Sequence, residues 1–330
     1  MTPEPDPVSR NFRVDDSEDG LRLDHFLTAR CEDLSRSQVQ KAVAADGARV
    51  DGATRPSSYR LSAGQRVEFT PPSPTATTAE PEDIPLVVIH QDEDILVVDK
   101  PAGMVVHPAP GHREGTLVNA LLHRFETLPG GDGLRAGLVH RLDKDTSGLL
   151  VVALSEAALR PLQAQLQDRT LGRTYEALSW GQWAEDAATL TGAVGRHPTR
   201  RQRMAILEQG GKPAVTHYEV REDFGFVQYC RVRLETGRTH QIRVHFAHHH
   251  HPVVGDATYG DDARIKGVHP LDRRTAEALV ATAGRQMLHA CELRLVHPRS
   301  GEALTFAAPR PDDFQSALDI LRDAAPSASD

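Results

Sequence analysis

The sequence predicts an α+β protein built from two units and a linker, and three observations carry that reading. Short apolar runs with hairpin-like spacing outnumber helical patterns after residue 86, which argues for a mixed, mostly antiparallel sheet with packed helices. Residues 71–85, PPSPTATTAEPEDIP, are rich in Pro, Thr and acid and show no periodic apolar face, as a linker does. Before that linker, residues 20–70 hold their own compact alternation of helix and strand.

Taken in chain order, residues 1–19 are acidic and lack an apolar face, and read as a disordered tail. Leu23, Phe26 and Leu27 then recur at helical spacing. Ser35-Arg36-Ser37 opens a second helix carrying Val39, Ala42 and Val43, with Ser35 or Ser37 as its N-cap. Residues 48–50 form a strand that runs into the tight turn Asp51-Gly52, and residues 59–61 and 66–69 alternate as short strands around Ala63-Gly64. The large unit spans 86–311. Its predicted strands are 86–89, 95–98, 149–154, 175–178, 215–220, 226–234, 241–246 and 288–295, and its predicted helices are 117–125, 157–167 and 272–283. Residues 312–330 read as an acidic C-terminal tail.

Composition narrows the function. No stretch approaches the roughly 20 apolar residues needed to span a bilayer, and the acidic N-terminus has no apolar core of a signal peptide. Cys31, Cys230 and Cys291 are odd in number and far apart, which excludes a disulfide framework and a four-cysteine zinc site. These features predict a cytoplasmic protein without a membrane partner. Taken alone, the net charge of -8 argues against a nucleic-acid partner. Its distribution answers that: residues 1–20, 72–94 and 312–330 carry -4, -6 and -4, leaving the rest of the chain at +6. Phosphate contacts depend on the local field, so a basic face on an acidic chain is feasible.

Two stretches concentrate the chemistry. In residues 137–153, GLVHRLDKDTSGLLVVA, a dense polar loop runs straight into an apolar strand, which is how a scaffold positions a site. Asp143 and Asp145 share a face if the loop is extended and diverge if it turns. The bland alternative is a polar turn whose Asp and Thr side chains bond backbone groups. In residues 235–245, ETGRTHQIRVH, Arg238, His240 and Gln241 surround a turn, and Arg243 and His245 fall on one face of a strand by alternation. An inward Arg243 needs a carboxylate partner, because an unpaired buried charge is very costly. One of the loop aspartates would serve.

With HRLDKDTSG at 140–148 and ETGRTHQIRVH at 235–245, the large unit resembles the RluA family of RNA pseudouridine synthases. DILVVDKPAGMVVHP at 94–108, GRTYEAL at 172–178, MAILEQGGKPAVTHYEV at 204–220 and RQMLHACELRLVHPRSGE at 285–302 extend the resemblance over nearly all of it. The 20–70 unit, with RLDHFL and SRSQVQKAV, resembles the S4 RNA-binding fold. The combination is most similar to the RluD-like branch.

The resemblance implies an enzyme that isomerises uridine by breaking its glycosidic bond, turning the base and rejoining it through C5. It implies no cofactor and no metal. The RNA partner would be 23S ribosomal RNA, at the helix 69 stem-loop, free or in an assembling large subunit; other sites in that RNA, as in the RluC-like branch, remain open, and a monomer is the default. Asp143 would be the nucleophile or the stabiliser of a cationic sugar. Arg243 would pair with it, Tyr175 would pack on the base and serve the proton transfer, and Arg141 would fill the gap left by an extruded uridine. Arg36, Lys41, Arg200, Arg201, Arg203 and Arg238 are the further candidate RNA contacts. A non-catalytic RNA-binding protein would lack some of Asp143, Tyr175 and Arg243, and all three are present. A glycoside hydrolase using Asp143 and Asp145 would need a sugar cleft lined with aromatics, which are only 5% of this chain. The run His248–His251 departs from the family pattern, which places an apolar residue and a glycine at 249 and 250. Consecutive strand residues point to opposite faces, so the run does not converge on a metal. What the missing glycine puts in doubt is the local turn.

Overall fold

Why each segment adopts its structure follows from where its apolar side chains go. The computed structural model describes residues 9–31, 34, 36–71, 79–109, 111–130, 136–200, 203–260 and 262–324. The chain divides into two units, Met1–Thr77 and Thr78–Asp330.

In the first unit, β1 (Arg10–Arg13), α1 (Leu23–Arg30), α2 (Arg36–Ala44), β2 (Ala48–Val50), β3 (Ala53–Thr54) and β4 (Arg66–Phe69) follow one another. The strands form an antiparallel sheet in the order β1-β4-β2-β3. Leu23, Phe26 and Leu27 of α1 and Val39, Ala42 and Val43 of α2 pack on Val50, Val67 and Phe69. Asp24 is buried beneath them, with Arg22 Nε at 3.0 Å, Arg36 Nη2 at 3.0 Å and Gln40 Nε2 at 2.7 Å. Burial alone would raise its pKa. The hydrogen bonds from Arg22, Gln40 and Arg36 outweigh that and hold the carboxyl well below its usual range.

The expected N-terminal tail is corrected from residue 10 onward. Phe12 in β1 pairs with Val67 and packs on Phe26, so this stretch is a sheet edge. Residues 1–8 of that tail lie outside the described residues.

The second unit carries one ten-stranded sheet. Its strands are β5 (Val87–Gln91), β6 (Ile95–Lys100), β7 (Ser147–Ala153), β8 (Gly172–Trp180), β9 (Ala187–Arg196), β10 (Met204–Ile206), β11 (Lys212–Asp223), β12 (Val227–Leu234), β13 (Leu288–Val296) and β14 (Ala303–Ala307). The order is β10-β9-β11-β12-β8-β13-β7-β6-β5, with β14 also paired to β13. Every pairing is antiparallel except β13 with β7. The helices are α3 (Leu117–Arg124), α4 (Glu156–Gln167), α5 (Gln241–His248), α6 (Arg273–Thr282) and α7 (Asp312–Ala324).

The central strands are buried on both faces, which is why they read as nearly continuous apolar runs. Leu96, Val98, Leu150 and Val152 point into one core with Leu117 and Leu121 of α3. Ile95, Val97, Leu149 and Val151 point the other way, onto Leu159 and Leu162 of α4. Where β7 meets β13, Gly148 takes φ +112°, and a Cβ there would run into the Ala290 backbone. Glycine is required at that crossing.

Three further expectations are corrected. Residues 79–85 belong to the second unit and not to a linker: Ala79 packs on Val118 and Ala136, and Asn119 exchanges hydrogen bonds with the backbone of Glu80 and Glu82. Residues 72–78 of the expected linker lie outside the described residues. The C-terminal tail is instead helical to Ala324. Phe314, Ala317, Leu318 and Leu321 recur at helical spacing and pack on α6 and Tyr229. The strand expected at 241–246 is helix α5. Ile242 and Phe246, four apart, bury on one side, while the Gln241 side chain turns back to accept the Arg238 N–H and ties off the preceding turn.

The end of α5 resolves the histidine run. His251 N–H reaches Phe246 O and His250 N–H reaches Ala247 O, the paired bonds of a Schellman cap. His250 sits at the left-handed position with φ +67°. This is where the resemblance places glycine, and the turn is kept at the cost of a side chain in a conformation that favours glycine. Replacing His250 with Gly should therefore raise stability by about 1 kcal/mol in urea denaturation; a loss of that size would mean the imidazole holds the cap. Truncating Phe314 to Ala should cost about 3–5 kcal/mol in the same assay, whereas a change under about 0.5 kcal/mol would make α7 dispensable.

Candidate active site

Asp143 lies on the polar loop that feeds β7, and the loop is fastened from three sides. Lys100, at the end of β6, is fully buried and donates to the carbonyls of Pro101 (2.8 Å), Met104 (2.9 Å) and Lys144 (3.0 Å). Burial lowers its pKa to about 7. Arg285 Nη1 reaches Asp145 O at 2.9 Å and Gln286 Nε2 reaches Thr146 Oγ1 at 3.3 Å. Ser147 Oγ meets His289 Nδ1 at 3.0 Å. Thr146 and Ser147 thus bind the loop to the 285–289 segment. The Asp145 carbonyl is used structurally.

Against this loop, α5 presents Arg243. Its Nη1 donates to Asp143 Oδ2 at 2.9 Å, while Nε and Nη2 grip both oxygens of Asp256 at 2.6 and 2.8 Å. Asp256 is fully buried and also accepts the backbone N–H groups of Thr258 and Tyr259. Burial would raise its pKa, but Arg243 and those N–H donors hold it below the ordinary value. One cation between two carboxylates leaves one negative charge, and Asp143 is the more exposed of the two. Its Oδ1 accepts no hydrogen bond from the described residues; His240 Nε2 stands 4.0 Å away.

His240 takes φ +56° just before α5, and its Nδ1 lies 2.8 Å from the Tyr259 hydroxyl. That hydroxyl accepts the Met204 N–H at 2.8 Å and keeps its own proton available for His240 Nδ1. Either ring nitrogen of His240 can carry the proton in this pair, and its Nε2 faces Asp143. Arg243 lies over the Tyr259 ring at 5.1 Å, with Arg203 at 6.0 Å.

Tyr175 reaches the same cavity from β8. It is 4% exposed, and burial raises its pKa, so it stays a neutral phenol at physiological pH. The cavity joins Asp143, Tyr175, Arg243, Arg141 and Arg238. Arg238 also donates to Pro213 O at 3.1 Å, and Arg141 is exposed at the rim. Arg200 is exposed beyond β9, and Arg201 lies outside the described residues. Arg36 and Lys41 sit on α2 in the other unit; Arg36 is held by Asp24, and Lys41 is exposed.

Sequence reasoning placed Arg243 and His245 together, and the structure separates them. On α5 the two diverge, and His245 Nδ1 meets Thr216 Oγ1 at 2.9 Å. It missed Asp256, Tyr259, Lys100 and Arg173. The demand for a buried acid to match Arg243 was a valid signal, but a single carboxylate was sought where the site uses two. Arg173 was legible: it precedes Tyr175 by two residues and shares its strand face. Among the described residues, Asp92, Asp94 and His297 are the one acid–histidine group close enough to hold a metal. Arg299 Nε already stands 2.6 Å from Asp94 and supplies the positive charge there.

Asp256 yields a prediction with a sign. A carboxyl whose folded pKa is depressed adds stability above its unfolded value near 3.9, and that stability is lost as pH falls through the folded value. Asp256→Asn should cost about 3–5 kcal/mol near pH 7 and flatten the fall in urea stability between pH 5 and 3. An unchanged acid limb would remove Asp256 from this role.

The chain matches known proteins along its length. Residues 94–248 match the family described as RNA pseudouridylate synthase. The chain is 41% identical over 320 residues to "Ribosomal large subunit pseudouridine synthase D" of Escherichia coli strain K12, covering 96% of this chain and 95% of that protein. It is 46% identical over 304 residues to an "Uncharacterized RNA pseudouridine synthase" of Chloroflexus aurantiacus, covering 92% and 91%. Among solved structures, "Human RNA Pseudouridylate Synthase Domain Containing 1" matches with a TM-score of 0.54 and 28% identity, over 76% of this chain and 98% of that one.

Proposed function

The chain belongs to the RNA pseudouridine synthases of the RluA family, and from that premise we propose that it acts on 23S ribosomal RNA with Asp143 as the reacting carboxylate. The carrying observation is the asymmetry of Asp143: one oxygen is held by Arg243, and the other opens on a cavity shared with Tyr175. A carboxylate that must act in a dry site needs a fixed cation to keep it ionised. Arg243 fills that part, and Asp256 keeps Arg243 oriented.

The reaction breaks the bond between ribose C1′ and N1 of uracil and forms a bond from C1′ to C5. The proton on C5 is lost and N1 gains one, so the change is an isomerisation with no redox component. Asp143 Oδ1 attacks C1′ or stabilises the positive charge that develops there. Tyr175 supports the base and serves the proton transfer at C5. Arg141, exposed at the rim, fills the space left by the extruded uridine, where its planar cation stacks and binds phosphate together.

Large-subunit ribosomal RNA is named for the Escherichia coli relative, which supports that substrate here, with the helix 69 stem-loop as the first site to test. The unit of residues 10–70 is assigned as an S4-like RNA-binding module, with Lys41 exposed on α2 for phosphate. No helix among the described residues is long and apolar enough to cross a membrane.

The test is pseudouridine mapping of 23S ribosomal RNA from cells lacking the gene, complemented by wild type or by Asp143→Asn. Wild type should restore the missing sites. The variant should fall short by more than about 1,000-fold in rate with purified protein. Restoration by Asp143→Asn would remove Asp143 from its role, and an unaltered ribosomal map would move the substrate to another RNA.

A further inference from the structure

Beside the cavity of Asp143 lies a larger one of about 640 Å³. The two share Arg141, Arg173, Gly237 and Arg238 as walls. Arg173 is the unusual member. It is 5% exposed, and its Nε is buried with no hydrogen-bond partner. Among the described residues its guanidinium makes no hydrogen bond and no ion pair. The other deeply buried arginines are all compensated: Arg243 holds two aspartates, and Arg285 holds Asp313 at 2.6 Å. Nε is enclosed while the Nη groups face the cavities, and a cation so nearly buried without a carboxylate is a penalty for the free protein.

The cation is also given room. Arg173 and Tyr175 share one face of β8, so Arg173 stands beside the catalytic cavity. At Gly237 a Cβ would run into Arg173 Nη1, so the absent side chain leaves the guanidinium its room. His140 lines the same larger cavity. Its Nε2 accepts the Val151 N–H at 3.3 Å, which places its proton on Nδ1, and Nδ1 is buried without a partner. Burial and the charge of Arg173 push its pKa down to about 3, so it is a neutral donor. Two buried donors without acceptors therefore border one cavity. The carboxylate in that wall, Glu235, is taken up by Arg169 and His217, so neither donor has an anion.

We propose that this second cavity is a phosphate pocket in which Arg173, with His140 beside it, receives the RNA backbone phosphate next to the extruded uridine. This rests on RNA as the substrate and adds where its backbone is held. Guanidinium binds phosphate through a planar fork and carries little hydration, which suits it to a buried anion site. The charge is left unpaired in the free enzyme and is compensated only when substrate arrives. Ordinary binding energy then serves to position the ribose against Asp143.

Arg173→Met tests this, because it removes the charge and keeps the length. In chloride the variant should melt at or above the wild-type temperature, since an uncompensated buried charge has gone. Inorganic phosphate at matched ionic strength should raise the melting temperature of wild type and leave that of Arg173→Met unmoved. Gly237→Ala, which displaces the guanidinium without removing it, should weaken the phosphate response. On a 23S stem-loop fragment, Arg173→Met should weaken binding about tenfold and reduce the salt slope by about 0.7. One methylphosphonate beside the target uridine should weaken wild type equally and Arg173→Met no further.

A variant that melts lower in chloride and responds to phosphate like wild type would show a structural arginine and overturn the proposal. Fully additive losses from Arg173→Met and every methylphosphonate would do the same. If wild type neither binds nor modifies the fragment, the choice of RNA under the proposed function is wrong, and the phosphate melting experiment still decides the pocket by itself.

Discussion

One buried cation organises the site: Arg243, placed between Asp143 and Asp256. Its guanidinium has enough donors to satisfy two carboxylates, and it uses them unequally. Asp256 takes the bidentate grip and two backbone N–H bonds, and is fully enclosed. Asp143 takes one bond, and its other oxygen has no donor among the described residues. A lysine could not divide its charge this way, because it lacks the planar fork. With Asp143 alone, Arg243 would be anchored only by the group proposed to react. With Asp256 present, the cation stays fixed whatever happens at Asp143, which is the preorganisation that a developing charge requires.

The rest of the second unit serves to bring these groups within reach and hold them. Asp143 precedes β7, Tyr175 lies in β8, and Arg243 belongs to α5, so three separate elements must meet. The parallel pairing of β7 with β13 sets the loop next to the 285–289 segment, where Arg285 binds the Asp145 carbonyl. Arg285 is itself gripped by Asp313 of α7. The C-terminal helix thereby supports the Asp143 loop through one arginine, although none of its described residues lines the cavities. Lys100 does the same from the other side, spending all its donors on three carbonyls.

Much of this was legible in the sequence, and what was not has physical reasons. Strands β6, as far as Val98, and β7 were plain because residues buried on two faces must be apolar throughout. The polar loop before β7 stood out because so many polar groups beside a core strand need a purpose. Segment 241–246 deceived because Gln-Ile-Arg-Val-His-Phe satisfies a period of two and a period of four equally; only the cores waiting for Ile242 and Phe246 decide it. The acidic character of 312–330 masked the spacing of Phe314, Ala317, Leu318 and Leu321, since helix-forming periodicity and charge are independent signals. Asp256 carried no local mark at all. Its meaning is a distance of thirteen residues folded into 2.6 Å by the turn after α5.

The formal charge of -8 also takes on a different sense once the partners are known. Many acids are spent internally on arginines: Asp24 on Arg36, Glu176 on Arg310, Glu222 on Arg322, Glu235 on Arg169 and Asp313 on Arg285. Those pairs cancel and project little field. Among the described residues, Arg141, Arg173 and Arg238 pair with no carboxylate and lie together at the two cavities beside Asp143. Net charge is a sum over the chain, but an RNA backbone meets only the charges that remain uncancelled where it docks. An acidic protein with an uncancelled basic corner around one anionic oxygen can attract a polyanion and still present the carboxylate proposed to react.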